Sequence, residues 1–234
     1  MGLTQEEASR IVASGSPILC FDTCSILDVM RDPTRESLNP LEIMAALDLL
    51  NKMEEGVELI GLIATQVRFE LSEHLNRVED EARDSIIKWQ NRTQKINAVS
   101  VALGATETTN LSHLDSHVAR ARAVVDRIIQ AGKLFAQPLH VTEKAFARLN
   151  QARTPAKKGK DSMKDCVVIE TYLSVVDTLR SSGLKSKIVF ISSNTKDYAG
   201  DTGSKLKLDL ASEFASRNME YAPNMGAAKF FLGF

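Results

Sequence analysis

Apolar residues in this chain follow two rhythms. The runs Ile18-Leu19-Cys20-Phe21, Leu59-Ile60-Gly61-Leu62-Ile63 and Ile188-Val189-Phe190-Ile191 are short, continuous and flanked by turn residues. Such runs predict strands buried on both faces, at 18–21, 58–63 and 187–191, and Met219-Glu220-Tyr221 predicts a last short one. Elsewhere apolar residues recur every three or four positions, the period of a helix with one buried face. Thr4 and Glu7 form a capping box for a helix reaching about Ala13, which Gly15-Ser16-Pro17 stops. Pro40 opens a helix carrying Leu41, Met44, Ala45 and Leu49, and Gly56 ends it. Thr65, read as an N-cap, starts a long helix with Val67, Leu71, Leu75 and Val78 on one face, continuing through Ile86, Ile87 and Ile96. Trp89 is read as packing that helix, with stacking on a base as the alternative.

Past a polar break from Gly104 to Asn110, helical spacing resumes over 111–131 and 142–151. Thr154 to Lys160 reads as a basic loop, and two further helices are expected from Ser162 to about Arg180 and from about Ser204 to Arg217. Strand and helix thus alternate at both ends around a purely helical middle. That order predicts the α/β class: a central parallel sheet of about four or five strands in one domain over 1–234, with a helical elaboration at about 76–153.

Composition narrows the function classes. At 234 residues, 44% hydrophobic and 25% charged, the chain is expected to fold around a full core. A formal net charge of −1 provides no global basic field, so any nucleic-acid binding has to come from a local patch. No apolar run approaches the length of a membrane span, and the N-terminus lacks a secretory layout. Gly2 is poorly set for myristoylation beside Glu6 and Glu7. Three cysteines without CxxC spacing argue against a disulfide framework and for the cytoplasm.

Against this plain background four acidic residues stand out. Asp22 closes the first strand, Glu70 lies a turn or two past the second, Asp165 opens the apolar-periodic stretch 166–179, and Asp197 follows the strand at 187–191. Groups just beyond the carboxyl ends of parallel strands converge on one crevice. Carboxylates crowded there raise one another's pKa, and a hard divalent cation with oxygen ligands, Mg²⁺ or Mn²⁺, relieves the repulsion.

The residues around these acids resemble the PIN-domain family of metal-dependent ribonucleases. Phe21-Asp22-Thr23-Cys24-Ser25-Ile26-Leu27 is similar to the family's strand-end motif, hydrophobic-Asp-Thr-polar-x-Leu. Glu70 in Thr65-Gln66-Val67-Arg68-Phe69-Glu70 resembles its helical glutamate, and Asp165-Cys166-Val167-Val168-Ile169 its Asp-x-x-Ile helix start. The segment from Phe190 to Tyr198 resembles Thr-x-Asp-x-x-Asp-Phe after the next strand. The four motifs keep the family's order. Cys24 stands where Asn or Ser is more usual, and Asn194 where Asp is common.

The resemblance implies a three-layer α/β/α fold and a Mg²⁺- or Mn²⁺-dependent endoribonuclease acting on single-stranded RNA. Its catalytic and metal-binding residues would be Asp22, Glu70, Asp165 and Asp197, with Asn194 as a further ligand and Thr23, Ser25 and Ser193 behind them. It also implies the toxin or defence-effector class, with an antitoxin-like inhibitor protein and self-association as further partners. The alternative is a catalytically inactive PIN-like module that binds RNA or protein, which Asn194, Cys24 and the near-neutral charge favour.

Seven basic residues from Lys144 to Lys164 face a single acid, Asp161. Among them Lys157, Lys158, Lys160 and Lys164 are read as an RNA-phosphate clamp beside the metal site, and Asp161 as a charge favourable to the following helix. His113 and His117 have i, i+4 spacing but no third ligand, so an exposed helix face is the expectation. A haloacid-dehalogenase phosphatase would need an Asp at Cys24, and a Walker or Rossmann loop is missing after the first strand.

Overall fold

The computed structural model describes residues 2–157, 161–200 and 203–234. At its centre lies a five-stranded sheet in the order β3-β2-β1-β4-β5, every pairing parallel. The strands are β1 Ile18–Phe21, β2 Ile60–Ala64, β3 Lys133–Phe135, β4 Ile188–Ile191 and β5 Met219–Ala222. Every residue of β1, β2 and β4 is buried, which is why each reads as an unbroken apolar run.

Helices cover both faces. The described helices are α1 Gln5–Ser14, α2 Thr23–Leu27, α3 Pro40–Glu54, α4 Thr65–Ala102, α5 His117–Ala131, α6 Leu139–Asn150, α7 Met163–Ser181, α8 Thr195–Tyr198, α9 Leu208–Ala215 and α10 Met225–Leu232. One group joins α3 to α5 and α10, another joins α7 to α1 and α6, and α4 touches both α5 and α7. The arrangement is the expected three-layer α/β/α. Tyr172 of α7 fastens its layer to the sheet: its hydroxyl donates to Phe21 O and accepts from Ala64 N at 3.1 Å. Gly61 has a steric reason, since a Cβ there would lie 2.3 Å from Met53 Cε of α3.

The structure departs from the periodicity in several places. The middle is not purely helical, because Lys133–Phe135 adds β3 to the sheet edge. That strand has three residues with only Phe135 buried, too short and too wet to show an apolar run. Ala64, not Thr65, holds the N-cap position of α4; the Thr65 hydroxyl instead donates to Phe135 O (2.8 Å), tying α4 to β3. The expected 204–217 helix is confined to α9, and the apolar C-terminal segment forms α10 against α3 and β4. The long helix has 38 residues, about 57 Å, but its last buried residue is Ile86. Trp89 is therefore only partly covered, at 43% exposed, and Ile96, Val99 and Leu103 are exposed beyond it.

A small second core of Val141, Ala145, Ala156, Cys166 and Val167 joins α6 to α7. Beside it Arg148, only 1% exposed, reaches Glu170 (2.7 Å), Thr154 O (2.6 Å) and Glu213. Thr154 in turn donates from N and Oγ1 to Asp209 at 2.7 and 2.8 Å. Backbone and charge together thus anchor the chain leading from α6 toward α7.

Candidate active site

Sheet order reverses direction at β1, which has β2 on one side and β4 on the other. In open α/β sheets such a switch point opens a crevice beyond the strand carboxyl ends. The register Phe21↔Ile191 sets Asp22 beside Ser192 there, and Asp22 N donates to Ile191 O (3.0 Å).

Asp22 is 5% exposed and caps α2. Its Oδ1 accepts from Thr23 N (2.9 Å), and its Oδ2 accepts from Ser192 Oγ (2.6 Å) and Cys24 Sγ (3.1 Å). Glu70, carried in by α4, accepts from Thr23 Oγ1 (2.7 Å) and from Gln66 Nε2 (3.0 Å). Thr23 therefore links two carboxylates that are 48 positions apart. Burial holds the Asp22 carboxyl above its ordinary pKa of 3.8, and Glu70 pushes the same way, while the bonds from Ser192, Cys24 and Thr23 oppose them.

The sign of the consequence follows from linkage. Below the ordinary carboxylate range both folded and unfolded chains hold the proton, and Asp22 adds no slope. As pH rises toward the elevated folded value, the unfolded chain loses its proton first, so the metal-free fold loses stability. Above the folded value that loss is complete. The denaturation midpoint of Asp22→Asn should therefore rise relative to that of the natural chain as pH increases across this interval.

Asp165 sits half-buried in the first turn of α7. Tyr198 of α8 is fully buried, and its hydroxyl has no hydrogen-bond partner among the described residues. Burial raises the Tyr198 phenol well above its ordinary value, and Asp22, Asp165 and Glu70 add to the shift. An unsatisfied buried hydroxyl costs about 1–3 kcal/mol. Tyr198→Phe should therefore stabilise the metal-free protein, by up to about that amount, in urea denaturation. An unchanged or lowered midpoint would show that the hydroxyl is satisfied after all.

Asp197, 2% exposed, lies in α8. Asn194 Nδ2 donates to its Oδ2 (2.7 Å), and Lys157 Nζ stands 2.7 Å from its Oδ1 while also donating to Lys196 O (2.6 Å). Lys164 pairs with Glu73 (2.7 Å). Lys158 and Lys160 lie outside the described residues. Ser25 Oγ accepts from Ser193 N (3.0 Å), which buttons the α2 turn to the chain after β4. Asp161 Oδ1 accepts from Met163 N (3.3 Å) at the start of α7. His113 is exposed and His117 half-buried.

Among the described residues, no three His, Cys, Asp or Glu side chains stand in metal-ligating geometry. The carboxylate oxygens of Asp22, Glu70 and Asp165 are the donor type a hard cation takes, whereas a lysine ammonium already stands on the Asp197 carboxylate. Holding an ion would require these carboxylates to close on it. Cys24 offers no nucleophile, since burial and Asp22 push its thiol far up.

Sequence reasoning missed two neighbours of these acids and set a third elsewhere. Ser192 rather than Ser193 bonds Asp22, a consequence of strand register. Tyr198 signals itself only as a phenol at the motif's Phe position. Lys157 was read as facing RNA, whereas its ammonium faces Asp197.

Comparison with known proteins is consistent with this geometry. A family model described as a PIN domain matches residues 19–198, a span that contains all four acids. No curated protein and no solved structure matches the chain.

Proposed function

Because the chain belongs to the PIN-domain family, we propose that it is a Mg²⁺- or Mn²⁺-dependent endoribonuclease cleaving single-stranded RNA. The observation that carries this reading is the Asp22–Thr23–Glu70 link at the switch point. Asp22, Glu70 and Asp165 would hold the metal. Asp197, kept in place by Asn194, would orient the attacking water or hold a second ion. A bound divalent ion supplies a water of lowered pKa and neutralises charge on the phosphoryl oxygens. Ser192 and Thr23 fix the Asp22 and Glu70 carboxylates, as outer partners of metal ligands do. Lys157 balances the Asp197 charge and must yield if a cation is to take that oxygen.

The family resemblance extends the reading to a toxin or defence effector that works in the cytoplasm, is restrained by an antitoxin-like inhibitor and self-associates. No described helix is long and apolar enough to cross a membrane.

A second reading, a catalytically silent RNA- or protein-binding module, draws on the Lys157–Asp197 pair and on Asn194. End-labelled single-stranded RNA separates the two. Cleavage with Mg²⁺ or Mn²⁺ that EDTA abolishes supports the enzyme; binding without turnover in Mn²⁺ supports the module.

A further inference from the structure

A cavity of about 950 Å³ opens beside the carboxylates, between the end of β4, the chain following α2, and the starts of α3 and α10. Cys24, Ser25, Ser193 and Asn194 border it, so it runs directly off the Asp22 and Asp197 region. Its volume lies at the upper end of the range of about 300–1,000 Å³ usual for ligand sites.

The charges lining this cleft differ from those of the whole chain. Arg31, Arg35 and Lys196 face two carboxylates, Asp28 and Glu42, and both carboxylates are engaged. Glu42 Oε2 accepts from Gly226 N (2.9 Å). Asp28 Oδ1 stands 2.8 Å from Arg31 Nε and 4.0 Å from Arg35 Nη1, and Arg35 Nη2 donates to Asp28 O (3.1 Å). One acid thus stands between two guanidinium groups, of which Arg35 has its Nη1 buried and its Nη2 bonded to Asp28 O. Arg31 leaves its terminal nitrogens without hydrogen bonds to the described residues, and Lys196 forms no ion pair among them. Guanidinium forks match phosphate oxygens in a way that a point charge does not.

The remaining surface indicates what is read. Val29, Ile43 and Met225 give the cleft an apolar floor, and no aromatic side chain is among the described residues lining it. Stacking platforms are the usual means of gripping bases; here charge and an apolar floor remain, a surface suited to a sugar–phosphate backbone of any sequence. On the other side of the site, Lys157 and Lys164 are already paired with Asp197 and Glu73.

We propose that this cleft seats the backbone of a single-stranded nucleic acid flanking the cleaved bond, with Arg31, Arg35 and Lys196 contacting its phosphates. The inference rests on the nuclease reading above.

The test is fluorescence anisotropy of a labelled single-stranded oligonucleotide in EDTA, which prevents cleavage, over a series of salt concentrations. Each phosphate contact on a single strand contributes about 0.7 to the slope of log affinity against log salt. Arg31→Ala with Arg35→Ala should lower that slope by about 1.4, and Lys196→Ala by about 0.7. Arg77→Ala with Arg83→Ala removes the same charge from the surface of α4 and should change it little. Lys196→Ala, at an exposed side chain, keeps the test valid if loss of both arginines unfolds the chain. Wild-type protein that binds no strand would overturn the nuclease reading and this inference together. Wild-type binding with unchanged slopes in the cleft variants would overturn the inference alone. So would displacement of the strand by a mononucleotide at equal affinity, which would mark a small-molecule site.

Discussion

Asp22→Asn is expected to lower metal-dependent RNA cleavage by at least about 100-fold while leaving the fold intact. Loss of an outer-shell partner of a metal ligand typically costs about 10- to 100-fold, and in the proposed mechanism Asp22 holds the ion itself. The substitution keeps shape and a carbonyl oxygen but removes the anionic charge that attracts the cation. Asp22 is also where the site is most tightly built: Ser192, Cys24 and Thr23 all donate to it, and Glu70 joins through Thr23. Calorimetric titration with Mn²⁺ should show weakened binding in the same variant, and far-UV circular dichroism should be unchanged. Cleavage at near wild-type rate would remove Asp22 from the mechanism.

The second large effect is on stability. Arg148→Ala should cost about 3–5 kcal/mol, because it strands a buried carboxylate without its counter-charge. Glu170 is 7% exposed and has Arg148 as its ion-pair partner at 2.7 Å, whereas Glu213 keeps Arg153. The cost comes from the charge left behind, so removing both charges should recover most of it. Arg148→Met combined with Glu170→Leu is therefore expected to be far milder than Arg148→Ala alone. Urea denaturation with a constant m-value checks both. A double variant as unstable as the single one would mean that packing around α6 and α7, not charge, sets the cost. Arg148 also holds Thr154 O, and Thr154 holds Asp209. A destabilised Arg148 variant should thus loosen the segment that delivers Lys157 to Asp197.

Strand and helix content was readable where burial is total or strictly one-sided. β1, β4 and the Thr4–Glu7 box of α1 came out where the apolar runs and capping chemistry placed them. The errors fall where local pattern carries little information. β3 is an edge strand of three residues, and Trp89 continues an apolar stripe past the point where the body can cover it. The four acids stand out in the sequence because each follows a strand or opens a helix in the order of a known motif set. Their partners do not. Whether Ser192 or Ser193 meets Asp22 depends on alternation across a parallel register, and the cleft at Arg31 and Arg35 belongs to a stretch without periodicity.

Residue order, then, was enough to specify which side chains could bring anionic oxygen to the sheet's carboxyl end, since strand burial and helix starts are local properties. It could not say how those charges are balanced. That balance is a matter of distances between segments far apart in the chain: Thr23 just beyond β1 on Glu70 of α4, and Lys157 on Asp197. Coulombic and hydrogen-bond energies depend on those separations and on local burial, and both arise only when the layers close on the sheet.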